Sequence, residues 1–523
     1  MIRHKPTQRY CGLTVIMSNP SRFDKDKNCL ITAGGGRLFD EFLSPYTRFN
    51  CDIRVKEDMG DLLPDTKCIL LLGEPAAHQW VGNTDNSLNE MRGSVFRHKV
   101  TNVPMICSYF PQDCADPKNF EKEFNSEFNE DDVDNEEGNQ LDEKSRKNNT
   151  KRKNYRFWLK QDIKKIKYLL QNNGVVPEAK IKPTYIIAPK SSDIIRLLRE
   201  TKGKDMFIDI ETFVPSCDMQ CFAFSFNDEP NIYCVPVFSH DGSWAYSNLP
   251  TIFKSLAFAL RDNNPIAHNG AHFDYLVFTW KYKLAIGPKP KDTMCMMHRC
   301  YTEVEKSLGH CISLWTWESF HKDEGTGGYY TPSQVAQKLQ YCGKDVYGMK
   351  LVYYAMIEHA KKIPGLQQSF DNVNSMIRPY LIITLQGIAF DEEMRKKIIK
   401  ENDRLCMHYM KWARIFIGEQ NIKMIAGKSK SSILNSNKQC CIYFHDLLGY
   451  DVVAKGKEKE DGSRGPSLAK KAMYKLRMKY DNPVIDLCLA FRSIIRETGY
   501  LNFTPWQIDI LQKDKQEQLP LNI

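Results

Sequence analysis

The stretch "MFIDIET", residues 206–212, decides how the middle of this chain is built. Met206, Phe207, Ile208 and Ile210 form the apolar run expected of a strand at the centre of a parallel or mixed sheet. Asp209 and Glu211 stand two apart, so on a strand they project from one face. Two like charges on one face repel, and burial adds the loss of their hydration. Such a placement needs a compensating partner, and the other acidic residues of the region indicate what it is.

Strands are expected at "TYIIAP" (184–189), "CFAFSF" (221–226) and "NIYCVPVF" (231–238). A helix "LPTIFKSLAFALRD" (249–262), a short strand "PIAHN" (265–269) and a helix "GAHFDYLVFTWKY" (270–282) follow. In "HNGAHFD" (268–274), Asp274 falls on the first turns of the helix that follows the strand. In "YCGKD" (341–345), Tyr341 and Asp345 are four apart, on the same face of a helix. Four carboxylates and one tyrosine therefore come from three separated segments. Magnesium, or manganese, demands hard oxygen ligands and would relieve their repulsion. Two such ions about 4 Å apart can activate a water and stabilise the leaving oxygen of a phosphodiester.

Taken singly, a D-x-E on a strand or a Y-x-x-x-D on a helix is common and more often structural. Taken in order, the set D-I-E, N-x-x-x-F-D and Y-x-x-x-D resembles the three exonuclease motifs of the DEDD superfamily, tyrosine subtype, as found in family A DNA polymerases. "KDTMCMMHRC" (291–300) and "SLGHCISLWTWESFHKDE" (307–324) resemble phage-type members of that family. The resemblance implies an RNase H-like mixed sheet over residues 183–365 and a metal-dependent 3′-to-5′ exonuclease that proofreads during DNA replication. It implies that Asp209 bridges two Mg²⁺ (or Mn²⁺) ions, that Glu211 and Asp345 hold the catalytic one, and that Asp274 holds the second. Tyr341 would orient the attacking water. Asn269 and Phe273 would line the path of the DNA end, shaping and packing the site, with Phe273 as a plain core residue the blander reading. The substrate implied is a frayed single-stranded 3′ end of a primer-template.

Residues 366–523 read as mainly helical. "MIRPYLIITLQGIAFD" (376–391), "SILNSNKQCCIYFHDLLGY" (432–450) and "NPVIDLCLAFRSIIRETGYL" (482–501) resemble the thumb-like start of a family A polymerase domain. Asn435 and Gln439 occupy its N-S-x-x-Q positions, which implies contact with duplex DNA. The basic run "KGKEKEDGSRGPSLAKKAMYKLRMK" (455–479) reads equally as a solvated face or a phosphate grip. Palm and fingers do not follow in this sequence, which reads as one product of a split gene with a separate palm–fingers chain as partner, as a fragment of a longer polymerase, or as a stand-alone proofreading protein; no polymerase activity is expected from this chain alone.

Residues 1–120 alternate short apolar runs, "LTVIM", "CILLLG" and "VPMICSYF", with glycines and a helix "GRLFDEFL", as a small α/β domain does. "GRLFDEFL", "LLLGEPAAHQWVG", "NEMRGSVF" and "VPMICSYFPQD" resemble the uracil-DNA glycosylase superfamily. Asn19, in "MSNPS", would hold water there, whereas Phe110 stands where an active enzyme carries a histidine. Phenylalanine cannot hydrogen-bond a departing uracil, so the domain is expected to be inactive, serving DNA binding or structure. The charged stretch 121–153 has almost no aliphatic residues and reads as a disordered linker, followed by a connecting helix within 154–182.

The whole chain is expected to be an α/β protein with a helical C-terminal region. Its 523 residues allow about three domains. Its 17 cysteines lack any C-x-x-C pair, which argues against a disulfide framework or a zinc ribbon. A net charge of +9 permits a polyanionic partner. No apolar run reaches membrane-helix length, and the first residues lack a secretory core, so the expectation is no membrane and a bacterial or phage-infected host cytoplasm. Two other readings fit the motifs. One is a non-catalytic scaffold subunit of a split polymerase, and the other is a stand-alone exonuclease trimming RNA or DNA.

Overall fold

The apolar runs of the first 120 residues become the inner strands of a sheet. The computed structural model describes residues 3–18, 31, 33–114, 143–319, 321–326, 328–387, 391–426, 432–455 and 465–501. Strands β1 (Arg3–His4), β2 (Leu13–Met17), β3 (Asp52–Val55), β4 (Cys68–Leu72), β5 (Val95–Arg97) and β6 (Pro104–Ser108) assemble in the order β1-β3-β2-β4-β6-β5. The inner four are parallel, and β1 and β5 pair antiparallel at the edges. Every residue of β2, β4 and β6 is buried, which is why these strands read as unbroken apolar runs.

Helix α1 (Ala33–Leu43) and helix α2 (Glu143–Gln171) pack together, and α2 also packs on β4 and β6. Its apolar face, Trp158, Leu159, Ile163, Ile166, Leu169 and Leu170, is buried. Helix thus begins at Glu143, inside the stretch 121–153 expected as a disordered linker, and it runs on through the expected connecting helix to pack against the first sheet. Residues 143–153 are rich in lysine and arginine, both good helix formers, with no glycine or proline to stop a helix anchored by its packed C-terminal half. The remainder of the stretch lies outside the described residues.

A second sheet follows, built from β7 (Thr184–Ile187), β8 (Asp205–Thr212), β9 (Met219–Phe226), β10 (Asn231–Pro236), β11 (Asn264–Ala267) and β12 (Lys291–Asp292). Its order is β12-β11-β8-β9-β10-β7, and it is mixed: β11 runs parallel to β8, whereas β9 runs antiparallel to it. Helix α3 (Pro332–Ala360) lies across β8, β9 and β10. The protein is thus a mixed α/β structure with two mixed sheets and extensive helix.

Buried charge ties helix α2 to the first sheet and to the segment around Ser313. Arg92 reaches Asp162 of α2 at 3.0 Å, and Ser108 donates to the same carboxylate at 2.7 Å. Lys165 donates to the carbonyls of Gly93, Ser313 and Thr316 at 2.6–2.7 Å, although burial pushes its ammonium down to about 7. The chain divides into a unit of residues 1–386 and one of 387–523. In the second, α4 (Glu392–Ile417) pairs with α5 (Pro483–Leu501), with Asn402 donating to Thr498 at 3.1 Å. Leu434, Phe444, Met473, Leu476 and Ile485 fill its core. Among the described residues no helix is long and apolar enough to cross a membrane.

Candidate active site

Strand β8 presents Asp205, Phe207, Asp209 and Glu211 on the face that meets α3. The two elements run in opposite directions. Asp205 accepts from the Tyr353 hydroxyl at 3.3 Å, Asp209 from the Cys342 thiol at 3.4 Å, and Glu211 faces Lys338 at 3.5 Å. Phe207 packs edge-on against Tyr353, so the apolar half of this face anchors the strand while the acidic half lies at its end. The register breaks by a bulge between Glu211 and Thr212, immediately beyond the acidic pair.

Helix α3 brings the third motif to the same place. Oxygen atoms of Asp209, Glu211 and Asp345 all lie within 4.8 Å of one another. Tyr341, one turn before Asp345, is half-buried beside them. Burial, and then the charges of Asp345, Glu211 and Asp209, raise its phenol well above the ordinary range, so it stays protonated and can only orient a partner.

Asp274 arrives from the turn after β11. Asp292 caps the helix that follows it and also accepts from the amides of Asn269 at 3.0 Å and Ala271 at 3.1 Å, fixing the loop. Asn269 adopts a left-handed conformation at φ 63°. Gly270 is needed there, since a Cβ would come within 2.5 Å of the Ala267 side chain. Asp274 is then buried and accepts from the amide of Ile210, between the two strand acids, at 3.1 Å. It borders the trio of carboxylates without joining it.

Burial raises Asp209 well above the usual carboxylate range, and the neighbouring Asp274, Asp345 and Glu211 push it further. Asp274 is pushed up to about 8, chiefly by burial, and Glu211 is raised for the same reason against the pull of Lys338. Asp345 differs. Burial raises it, yet Lys322 and His321 together outweigh that and hold it below its ordinary value.

The residues fit a divalent cation. The donor set is all hard oxygen, the acids outnumber their ion-pair partners, and a cation already stands on one of them: the Lys322 ammonium sits 2.5 and 2.6 Å from the two oxygens of Asp345. His321, at 3.0 Å from Asp345, and Lys338 complete an arc of basic groups that the sequence motifs do not contain. The signal was present in "FHKDEGTGG" ahead of the third motif, and in the spacing of Lys338, Tyr341 and Asp345 along one helix face.

The other expected site residues are dispersed. Asn269 and Phe273 are half-buried around the second motif. Asn435 is exposed, while Gln439, behind the Ser436 cap of a short helix, is buried with no partner for its amide among the described residues. Phe110 is partly buried against the core of the first unit, and Asn19 lies outside the described residues. A cavity of about 1280 Å³ between residues 177–182 and Trp315, Trp317 and Tyr354 lies away from the carboxylates and is lined by none of them.

No family model and no curated protein matches the chain. Among solved structures, its backbone is similar to that of the POL domain of Pol1 from M. smegmatis, in complex with DNA primer-template and dNTP. The identity is 14%, with a TM-score of 0.43, over 61% of this chain and 49% of that one. It is similar to the EXO domain of Aedes aegypti Nibbler at 13% identity and a TM-score of 0.30, over 39% of this chain and 99% of that one. Escherichia coli RNase D, an exoribonuclease involved in structured RNA processing, is similar at 10% identity and a TM-score of 0.33, over 59% and 75%. The chain spans about half the length of the polymerase domain. What the site can do follows from its own side chains.

Proposed function

We propose that this chain is a metal-dependent 3′-to-5′ exonuclease that acts on the single-stranded 3′ end of DNA, as the proofreading part of a family A polymerase. The observation that carries this reading is the meeting of Asp209, Glu211 and Asp345 beside Tyr341, from a strand and a helix more than a hundred residues apart in sequence.

Asp209, Glu211 and Asp345 would hold one Mg²⁺ or Mn²⁺ ion, and Asp274 with Asp209 a second. When bound, such ions supply a water acidic enough to attack phosphorus and a stabilising charge for the departing 3′ oxygen. The chain's own part is positional. Tyr341, held protonated, donates its hydroxyl hydrogen and so fixes the direction of the incoming water. Asn269 and Phe273, around the second motif, would hold the terminal nucleotide by shape and stacking, which tolerate any base.

In the same reading the first domain is a glycosylase-like module without glycosylase activity, because Phe110 offers no hydrogen bond. The helices beyond residue 387 are a thumb, exposed Asn435 facing the duplex. The test is digestion of a 3′-labelled single strand in Mg²⁺ by the wild type and by Asp209→Ala. Release of labelled nucleotide by the first and none by the second is expected; equal release by both would remove the assignment.

A further inference from the structure

Lys322 belongs to none of the three motifs, yet its ammonium occupies the middle of the site. It contacts both oxygens of Asp345, at 2.5 and 2.6 Å, and lies 3.2 Å from the Tyr341 hydroxyl. It is carried by the tight turn Lys322–Thr326, which is fastened to α3 at several points. Glu324 pairs with Lys344 at 2.5–2.6 Å, and its carbonyl accepts from Gln337 at 3.3 Å. The Gly325 carbonyl accepts from Lys338 at 2.5 Å. Gly325 also rests on the Tyr341 ring so closely that a Cβ would come within 2.6–2.8 Å of it. A turn held by this many contacts presents its lysine to the site in a defined way. A surface lysine meeting a surface acid by chance would not be so held, and Lys322 is only 25% exposed against 6% for Asp345.

With its ammonium on both oxygens of Asp345, Lys322 occupies the face by which that carboxylate would meet a divalent ion. We propose that Lys322 exchanges partners during the reaction: it neutralises Asp345 when no metal is bound, must leave it for the divalent ion to enter, and then pairs with the phosphate of the bound strand. The displaced ammonium sits on a flexible four-carbon stem whose base stays fixed by the turn, beside Tyr341. The nearest new anion is the phosphodiester brought to that same point. Lys322 therefore sets the ion concentration at which the site fills and touches the substrate once it has. This inference rests on the exonuclease reading above.

The test is Mn²⁺ binding to the full chain, followed by loss of the free-ion electron paramagnetic resonance signal, for the wild type, Asp209→Ala, Lys322→Ala and Lys322→Arg, each checked for folding by its thermal melt. Lys322→Ala is expected to bind Mn²⁺ about tenfold more tightly than the wild type, since the ion no longer displaces a cation. Its turnover on a single strand at saturating Mn²⁺ is expected to fall about tenfold or more, since the phosphate loses a charge partner. Lys322→Arg, which keeps the charge, should bind the ion like the wild type. Equal Mn²⁺ affinity in the wild type and Lys322→Ala would overturn the exchange. Unchanged turnover at saturating ion would overturn the phosphate contact. Mn²⁺ binding by the wild type that is abolished in Asp209→Ala would leave the exonuclease reading standing in either event. Binding by Asp209→Ala equal to the wild type would strike that reading instead.

Discussion

Two of the clusters of buried charge among the described residues of the first unit are built on opposite plans. Around Asp162, the acid is paired: Arg92 bonds the carboxylate through Nε and Nη2, Ser108 donates to it, and the ammonium of Lys165 donates to three carbonyls. Around Asp209, acid is in excess, and burial together with mutual repulsion raises Asp209, Glu211 and Asp274. A cluster whose acid is paired holds elements in place, here the first sheet and α2 against the residues around Ser313. One with acid in excess stores repulsion that bound protons or an added cation relieve, and that is the mark of a functional site.

The contrast predicts opposite consequences for the same kind of substitution. Asp209→Ala should cost about a thousandfold or more in single-strand digestion while the thermal melt stays put or rises, because a buried carboxyl crowded by Asp274, Asp345 and Glu211 has gone. A nuclease that survives this change would place the chemistry elsewhere. Asp162→Ala should do the reverse. It leaves Arg92 buried without its partner and should destabilise the first unit by about 3–5 kcal/mol, seen as a lowered melt. Nuclease activity should persist where the protein remains folded.

The pH dependence separates the clusters as well. The Asp274 carboxyl is pushed up to about 8 in the folded chain, chiefly by burial, against about 4 when unfolded. Between those values the folded state carries a proton that the unfolded state lacks. The stability this gives is complete below about 4 and is lost as pH rises through about 8. In chelator, the melt should fall between about pH 5 and about pH 9, and Mg²⁺ should restore more stability at the upper end, where the carboxylates are free to bind it. Equal restoration at both ends would show that the ion acts elsewhere. The smallest effect is expected at Tyr341. Its phenylalanine variant removes one orienting hydroxyl and no ligand, so activity should drop only about tenfold with ion affinity intact. Steady-state digestion beside Mn²⁺ titration checks both.

Much of this was legible along the chain. The alternation of Phe207, Asp209 and Glu211 on one strand face, and the helical spacing of Tyr341 and Asp345, are local properties that survive folding unchanged. So are the fully buried runs of the first sheet. The charged stretch before Tyr155 misled because composition reports solvation and not the pull of a packed helix downstream. Lys338 shares the helix face of Tyr341 and Asp345, and its spacing carried that signal. His321 and Lys322 were harder to read, because their roles depend on a turn folding back over α3, held by Glu324 and Gly325, and the run that contains them does not announce that approach. Gln439 illustrates the converse: the motif is present, but the surrounding core buries the side chain.

The central claim is that the excess acid around Asp209 exists to hold divalent ions. Crystals of the full chain grown with Mn²⁺ and measured at its absorption edge test it most directly. The account predicts an anomalous peak in contact with oxygens of Asp209, Glu211 and Asp345, with the Lys322 ammonium moved off Asp345. A map with no peak at these residues, and Lys322 still seated on Asp345 at saturating Mn²⁺, would contradict it.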